Sequence, residues 1–304
     1  MSVVIFGSIN MDLVVRTPRL PAPGETLFGH TFFTAPGGKG ANQAVACARL
    51  GAYARMIGRV GDDVFGATLC DSLRNYGVDV TNVGVSAGPS GVAVIAVDDA
   101  AENNIIVVAG ANGTIGADDL AQLERALDGA TVLLLQLEVP IEAVVAAAQA
   151  ARRRGVTVMV DPAPARPLPA ELYAASDIIT PNETEAAALV GFAVHDQHDA
   201  ERAGQALLDR GVRAAVIKMG SKGAYWTDGM RGGFAPAFRV EAVDTVAAGD
   251  AFNGGLATAL DAGLPFEQAI RWGLAAGALS VTRPGAQQSM PSREELERLL
   301  GRAE

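Results

Sequence analysis

The chain has 304 residues, a length that suits one large α/β domain or two modest ones. Hydrophobic residues make up 49% of it, which is ample for a substantial core. The formal net charge is −10 and no dense Lys/Arg cluster is present, so we do not expect a nucleic-acid partner. Any anionic ligand must instead be met by backbone amides, a few placed cations or a metal ion.

The start of the sequence has no feature of export or membrane insertion. Met1-Ser2 runs directly into an apolar segment of strand length, without a basic region or a small-residue cleavage site. No apolar run reaches the length of a membrane span, and Cys47 and Cys70 have neither metal nor redox spacing. We therefore expect a cytoplasmic protein with reduced core thiols and no membrane partner.

The first predicted element is a buried strand over Val3 to Phe6, which ends at Gly7. Asn10 and Asp12 follow it, and residues two apart in an extended segment share a face. The carboxyl ends of strands are the ligand-binding edge of an open α/β sheet. The sequence therefore places two polar side chains at that edge.

A small accessory sheet is predicted outside the main one. Residues 25–34 mix Thr, Phe and Leu and predict a strand pair, and residues 92–97 and 104–108 predict a hairpin. We expect the segments 13–36 and 91–110 to form a lid on a single domain that spans residues 1–304.

A glycine-rich turn, Pro36-Gly37-Gly38-Lys39-Gly40-Ala41-Asn42, leads into a predicted helix over 43–50. It lacks the G-x-x-x-x-G-K-[ST] spacing of a P-loop, and no dinucleotide fingerprint follows the first strand. One interpretation is a tight loop whose glycines adopt positive φ. The other is a site for a polyhydroxylated ligand, with Lys39 and Asn42 as donors.

Strands and helices then alternate along the chain. Strands are predicted over 53–60, 132–138, 156–160, 177–180 and 214–219 and from Tyr225 onward, and helices over 61–75, 117–128, 141–154, 199–210, 265–282 and 292–300. His195 and His198 lack a nearby third ligand, so we interpret their surroundings as a polar helix start rather than a zinc site. The alternation predicts an α/β protein with a mostly parallel sheet covered by helices on both faces.

Polar groups recur where these strands end. Besides Asn10 and Asp12, they include Glu138, Asn182 and the glycine-rich loop 220–223. Their convergence on one sheet edge favours a ligand site over independent capping. Asn182 and Glu185 also have the spacing of a capping box. The alternative interpretation is that both hold a metal-bound phosphate through water.

Ala247, Ala248 and Gly249 precede Asp250 and an apolar run with helical period. Free amides and the dipole at a helix start attract anions, and small residues allow a close approach. Asp250 is therefore either an ordinary N-cap or a base beside a phosphate cradle, which is the equipment for phosphoryl transfer to a hydroxyl.

Six motifs occur in the order in which the ribokinase-like (PfkB) sugar kinases carry them. They are GSINMD at 7–12, GGKGANQAVACARLGA at 37–52 with GRVGDDVFG at 58–66, VDPAPAR at 160–166, PNETEA at 181–186, DTVAAGDAFNGG at 244–255 and VTRPGAQQS at 281–289. The sequence resembles this family from end to end. The resemblance implies a ribokinase-like three-layer α/β/α fold and transfer of the γ-phosphoryl of ATP to a sugar hydroxyl.

The resemblance also implies roles for single residues. Asp250 matches the catalytic base, and the anion hole matches Ala247, Ala248 and Gly249. The sugar-binding positions match Asn10, Asp12, Gly38, Lys39, Gly40, Asn42, Glu138 and Asp250. The ATP-binding positions match Asn182, Lys218, Met219, Gly220, Ser221, Lys222, Gly223, Ala248, Gly249 and Asp250.

Two ions are implied in the same way. Mg²⁺ is expected near Asn182 and Glu185. Potassium is expected near Asp244, Val246, Ser280, Arg283, Gly285 and Ser289. The family also implies a homodimer through the lid.

Two positions depart from the family pattern: Ala247 replaces a glycine, and Lys218 stands where a hydroxyl residue is common. The resemblance implies that the acceptor is the 5-hydroxyl of D-ribose, and Asn10 and Asp12 as a pair favour a furanose with vicinal hydroxyls. Fructose, deoxyribose, a keto-deoxy sugar acid or a nucleoside are alternatives. A non-catalytic sugar or nucleotide sensor on the same fold is a further one.

Overall fold

Two β-sheets and ten α-helices form the structure, a computed structural model that describes residues 1–100 and 102–301. The strands are β1 (Val3–Phe6), β2 (Asn10–Thr17), β3 (Thr31–Gly37), β4 (Ala54–Gly61), β5 (Asp79–Ser86), β6 (Gly91–Asp98), β7 (Asn103–Val108), β8 (Val132–Leu135), β9 (Thr157–Val160), β10 (Ile178–Ile179), β11 (Ala214–Lys218), β12 (Gly223–Thr227) and β13 (Gly232–Pro236). The helices are α1 (Lys39–Arg49), α2 (Val64–Asn75), α3 (Ala117–Ala126), α4 (Ile141–Arg153), α5 (Ala170–Ala175), α6 (Glu183–Val190), α7 (Gln197–Leu208), α8 (Ala248–Asp261), α9 (Phe266–Ser280) and α10 (Arg293–Gly301). None of these helices is long and apolar enough to cross a membrane.

The larger sheet has nine strands in the order β13-β12-β11-β10-β9-β8-β1-β4-β5. Its strands pair in parallel except for β12 and β13, which extend one edge antiparallel. Successive residues of a strand point to opposite faces. Val3 and Ile5 of β1 accordingly pack with α1, α2, α8, α9 and α10, while Val4 and Phe6 pack with α3 to α7. The predicted three-layer α/β/α architecture is confirmed.

Helix α8 is held tightly between two other helices. A Cβ atom at Gly254 would lie 2.4 Å from the Cβ of Ala46 in α1, and one at Gly255 would lie 2.9 Å from the Cβ of Ala276 in α9. Side chains at these two positions would push the helices apart. The pair of glycines therefore fixes the N-terminus of α8 relative to α1. The N-termini of both helices carry predicted site residues.

The smaller sheet has four strands in the order β3-β2-β6-β7. The prediction of a strand pair within residues 25–34 is wrong, because the strands are β2 and β3 and no strand lies within 18–30. Pro18, Pro21 and Pro23 lack an N–H group, which removes the ladder donors of that segment. Asn10 and Asp12 consequently lie in the first strand of the smaller sheet, directly after the central strand β1.

Smaller differences concern single elements. The helix predicted over 199–210 begins at Gln197, because Asp196 caps it and accepts a hydrogen bond from the Asp199 amide. The polar helix start around His195 is thus confirmed. The pattern did not predict β5, α5 or β13; α5 and β13 are short, and β5 is mostly half-buried.

Candidate active site

Asp250 lies in the first turn of α8 and is 4% exposed. Both of its carboxylate oxygens accept hydrogen bonds from side-chain amides of α1. Asn42 Nδ2 donates to Oδ2 at 3.0 Å, and Gln43 Nε2 donates to Oδ1 at 3.0 Å. Burial raises the pKa of Asp250 to about 6, against the opposing effects of Lys39 and of the two amides. The carboxylate is therefore ionised near neutral pH but binds a proton readily, as a general base requires.

The residues before Asp250 form a tight turn into α8. Ala247 has φ 59° and ψ 14°, and among the described residues it alone has a positive φ without being a glycine. This left-handed conformation explains why the related family prefers glycine there. It lets the turn enter the helix directly, so that Ala248 and Gly249 line the cleft described below. A Cβ atom on Gly249 would lie 3.4 Å from Nζ of Lys218, which places an ammonium group beside this turn.

Lys218 ends β11 and pairs with a second buried acid. Its Nζ donates to Oδ1 of Asp161 at 3.0 Å, and the other oxygen of Asp161 accepts from Nε2 of Gln43 at 2.9 Å. Gln43 therefore contacts both Asp161 and Asp250. Sequence reasoning did not assign a site role to Gln43 or Asp161. The available signal was position, because Gln43 follows Asn42 in the glycine-rich motif and Asp161 ends a buried strand.

On the other side of Asp250, Asp12 projects from β2. A Cβ atom on Gly37 would lie 2.3 Å from Oδ2 of Asp12, so a side chain at that position in β3 would push the Asp12 carboxylate aside. Burial, with contributions from Glu138 and Asp250, raises the pKa of Asp12 to about 7. Three acidic groups thus converge on one small volume, and a cation or a ligand rich in hydroxyl donors would relieve their repulsion.

Asn10 is oriented by a residue that the sequence did not reveal. Its Oδ1 accepts from Asn112 Nδ2 at 2.7 Å, and Oδ1 of Asn112 accepts from the Ile9 amide at 2.9 Å. The side-chain nitrogen of Asn10 is therefore the group that it can offer to a ligand. Asn112 lies in a short 3₁₀-helix after β7 and belongs to no motif, so no spacing could have identified it.

Lys39 begins α1 at the end of the glycine-rich turn. Its backbone N–H donates to Oε2 of Glu138 at 3.1 Å, and the same oxygen accepts from the hydroxyl of Ser8. Glu138 therefore holds the turn in place. Burial opposes the charge of Lys39, but the carboxylates of Asp250, Asp161 and Glu138 outweigh it and raise its pKa. Gly38 adopts φ 91° in this turn, and a Cβ atom there would lie 2.7 Å from the backbone nitrogen of Asn10.

A cleft of about 850 Å³ extends from Lys39 and Asp250 to the loop after β11. Its volume is within the usual range for small-molecule and cofactor sites. Of the predicted nucleotide-side residues, those that line it are Asn182, Lys218, Gly220, Ser221, Gly223, Ala248, Gly249 and Asp250. Met219 is instead buried, and Lys222, which does not line the cleft, donates to Oε1 of Glu183 and to the carbonyl of His195. The structure thus brings the predicted sugar-side and nucleotide-side groups together around Asp250.

Asn182 and Glu185 form the capping box that their spacing predicted. Oδ1 of Asn182 accepts from the Glu185 amide, and Oε2 of Glu185 accepts from the Asn182 amide, both at 2.8 Å. Oε1 of Glu185 remains for a ligand at the cleft. Within the described residues, no group of three or more His, Cys, Asp or Glu is arranged to hold a metal ion. These oxygen donors fit a Mg²⁺ ion that keeps waters and is carried largely by phosphates.

The positions expected near potassium lie in two linked loops beside α8. Asp244 accepts from the Val246 amide at 2.9 Å and from the Gly285 amide at 2.8 Å. Ser280 and Ser289 are buried, and their hydroxyls donate to the carbonyls of Gly277 and Ala286. Arg283 is turned to Glu295. The side chains therefore fix the loops, and a monovalent ion would be left to backbone oxygens.

The sequence pattern of the pfkB family carbohydrate kinases matches residues 1–293. The chain belongs to this family. It is 43% identical over 295 residues to a ribokinase from Haemophilus influenzae, covering 97% of this chain and 96% of that one. It is 37% identical to a deoxyribokinase from Salmonella typhi, covering 99% of each chain. The structure of Arabidopsis thaliana ribokinase complexed with ribose and ATP has a TM-score of 0.91 at 34% identity, covering 98% of each chain.

Membership of the family confirms the resemblance that the six motifs indicated, and with it the fold and the class of reaction. The chain is a carbohydrate kinase, so a sugar hydroxyl is the acceptor of a phosphoryl group. The two departures from the family pattern, Ala247 and Lys218, lie on either side of Gly249 in the cleft.

Proposed function

We propose that this protein transfers the γ-phosphoryl group of ATP to the 5-hydroxyl of D-ribose. The observation that carries the proposal is Asp250, a buried carboxylate held by two amides at a helix start, where a sugar side and a nucleotide side meet. Relatives named ribokinase, and a similar structure that contains ribose and ATP, support this choice of substrates.

The sugar is held by the polar groups of the smaller sheet and the glycine-rich turn. The Asp12 carboxylate accepts hydrogen bonds from sugar hydroxyls, and the side-chain nitrogen of Asn10 donates a hydrogen bond to the sugar. Oδ1 of Asn42 is buried with no partner among the described residues, so it is an acceptor left for the ligand. Because leaving such groups unpaired is unfavourable, a sugar with hydroxyls at these points is favoured over one that lacks them.

Transfer then needs one proton acceptor and stabilisation of negative charge. Asp250 accepts the hydroxyl proton as the hydroxyl oxygen forms its bond to the γ-phosphorus, and the bond from phosphorus to the bridging oxygen breaks to release ADP. The first-turn amide of Gly249 and the ammonium groups of Lys39 and Lys218 face the developing charge.

Two ions complete the proposal. Mg²⁺, when bound to the nucleotide phosphates near Asn182 and Glu185, would neutralise charge on the transferring group. A potassium ion held by backbone oxygens of the two loops around Asp244 and Gly285 would stabilise the turn that enters α8. Both remain proposals that assays with and without each ion can test.

A deoxysugar is the second candidate acceptor, because a deoxyribokinase is also among the relatives. A coupled assay of ADP release over D-ribose, 2-deoxyribose, fructose and a nucleoside, with and without potassium, separates the candidates. We expect kcat/KM for ribose to exceed that for 2-deoxyribose by about 10-fold or more, the effect of one unpaired buried polar group. Equal or higher values for 2-deoxyribose would reassign the acceptor, and no sugar-dependent ADP release would favour a sensor.

We also propose that two copies pair through the smaller sheet, which acts as a lid. Its edge strands expose large apolar side chains, among them Phe32 at 64% and Ile106 at 65%. Exposed apolar patches of this kind mark association surfaces. Sedimentation equilibrium should give a dimer for the natural chain and a monomer for Ile106→Lys. A monomeric natural chain would contradict this pairing.

A further inference from the structure

Gln43 is a fully buried side chain that contacts two carboxylates at once. One hydrogen of its Nε2 points to Oδ1 of Asp250 at 3.0 Å and the other to Oδ2 of Asp161 at 2.9 Å. Its Oε1 accepts from Nε2 of Gln136 at 2.6 Å. The two carboxylates fix which end of the Gln43 amide faces them, because they need a donor and an amide oxygen cannot donate.

Both acids that Gln43 contacts are buried. Asp161 is 2% exposed and Asp250 is 4% exposed, so their mutual repulsion is poorly screened by water. Lys218 balances Asp161 from the far side, and Asn42 holds the second oxygen of Asp250. The amide of Gln43 is the group between the two acids. The other charged groups around Asp250 are Lys39, Asp12, Glu138 and Glu185.

A carboxylate with both oxygens engaged by fixed amides cannot rotate freely. Its remaining lone pairs therefore point in set directions, towards the place where the acceptor hydroxyl must lie. Both hydrogens of its Nε2 and its Oε1 are already bonded within the protein, so Gln43 acts through Asp250 rather than on the sugar.

We propose that Gln43 is a positioning residue that fixes the carboxylate of Asp250 and links it to the Asp161–Lys218 ion pair. The proposal rests on the role of Asp250 as the base. It assigns to α1 a task in the chemical step, besides the ligand contacts proposed for Lys39 and Asn42. It also gives Asp161 a defined effect on the reaction, since its negative charge opposes ionisation of Asp250 across a single amide.

The test is Gln43→Met, which keeps the length of the side chain and removes both donors. Loss of a hydrogen bond to a buried charge predicts a 10- to 100-fold decrease in kcat, with KM for ribose changed less than about 3-fold. The same loss favours the protonated carboxyl, so the acid limb of the pH profile of kcat should move up by about one pH unit. Gln287→Met is the matched control, because it makes the same change at a buried glutamine that contacts Ser72 and bonds to neither acid nor to Gln43. Its acid limb should stay in place.

Asp161→Asn supplies a second, independent readout. Removing its negative charge should move the acid limb down in the natural background and should bring it back towards the natural position in Gln43→Met. Coupling through Gln43 predicts a larger shift in the Gln43→Met background than in the natural one, whereas a residue that only fills space predicts equal shifts. If Gln43→Met does not fold, Gln43→Asn, which keeps an amide but withdraws it from the two acids, decides the question, and an acid limb that does not move in that variant overturns the proposal.

The outcome also separates this proposal from the proposed function. A Gln43→Met enzyme with an unchanged acid limb, alongside an inactive Asp250→Asn, overturns the positioning role and leaves the kinase assignment intact. An active Asp250→Asn overturns the assignment of the base itself.

Discussion

Asp12 is the residue at which we expect function and stability to oppose each other most clearly. Its carboxyl is buried against Gly37 and faces Glu138 and Asp250, and its pKa of about 7 lies far above the ordinary value of 3.8. Between these two values the folded state binds more protons at Asp12 than the unfolded state does. The free energy of unfolding must therefore decrease as the pH rises through this window.

The perturbation is Asp12→Asn, which removes the titration and keeps the shape. Each pH unit below the folded-state pKa of about 7 changes the free energy of unfolding by about 1.36 kcal/mol. Between pH 5 and pH 8, ionisation of Asp12 should therefore lower the free energy of unfolding by about 2.5 kcal/mol. The variant should therefore gain about that much stability relative to the natural chain over the same range. Its kcat/KM for ribose should decrease, because an amide replaces the proposed hydroxyl acceptor.

Urea unfolding of the ligand-free proteins at pH 5, 6, 7 and 8 measures this difference directly. Asp250 titrates in both proteins, so its contribution largely cancels in the comparison. A stability difference between the two proteins that stays constant from pH 5 to pH 8 would refute the reasoning. So would a variant that is less stable than the natural chain at pH 8.

Substitutions at Ala247 and Lys218, with Lys222 as a control, test the nucleotide side of the cleft. Ala247→Gly should leave the unfolding midpoint equal or up to about 3 °C higher, because relief of the left-handed strain is partly offset by a more flexible unfolded chain. Ala247→Val should lower stability by at least about 1 kcal/mol, since a β-branched residue fits φ 59° poorly, and a stable Val variant would contradict this account of the turn. Lys218→Met should raise KM for ATP about 10-fold through loss of a cation beside Gly249, whereas Lys222→Met should change it less than about 3-fold. Similar values for the two lysine variants would remove Lys218 from the phosphate contacts.

Much of the fold was predictable because its signals are local. Apolar runs of strand length such as 132–135 alternate with amphipathic helices, and this order alone specifies a parallel sheet covered on both faces. The smaller sheet was less predictable. Its first strand, Asn10–Thr17, follows the central strand after three residues, and the proline-rich segment behind it obscured where the second strand begins.

The site was predictable where the chain itself brings residues together. Asn42 lies in a glycine-rich turn and Asp250 at a helix start, and both have signals within a few positions of sequence. Asn112 has none, and Gln43 and Asp161 have only their positions in a motif and at a strand end, because the partners of these residues lie 57 to 207 residues away. Those contacts exist only after the sheet has set its strand order, so spacing along the chain could not have shown them.

The conformation of Ala247 also could not be predicted from the sequence. An alanine in that motif predicts an ordinary helix start, whereas the structure places it at a positive φ. The strain becomes understandable only from the packing around it, since Gly254 and Gly255 fix α8 between α1 and α9 and the turn must enter the helix at that point.

The central claim is that Asp250 accepts the proton of a sugar hydroxyl during phosphoryl transfer. Its most direct test is ribose-dependent ADP release by Asp250→Asn, with ribose binding to the same variant measured by calorimetry. We predict that kcat decreases by about 10²-fold or more, the scale of a general base, while the dissociation constant for ribose changes less than about 3-fold. Turnover close to that of the natural chain would contradict the claim.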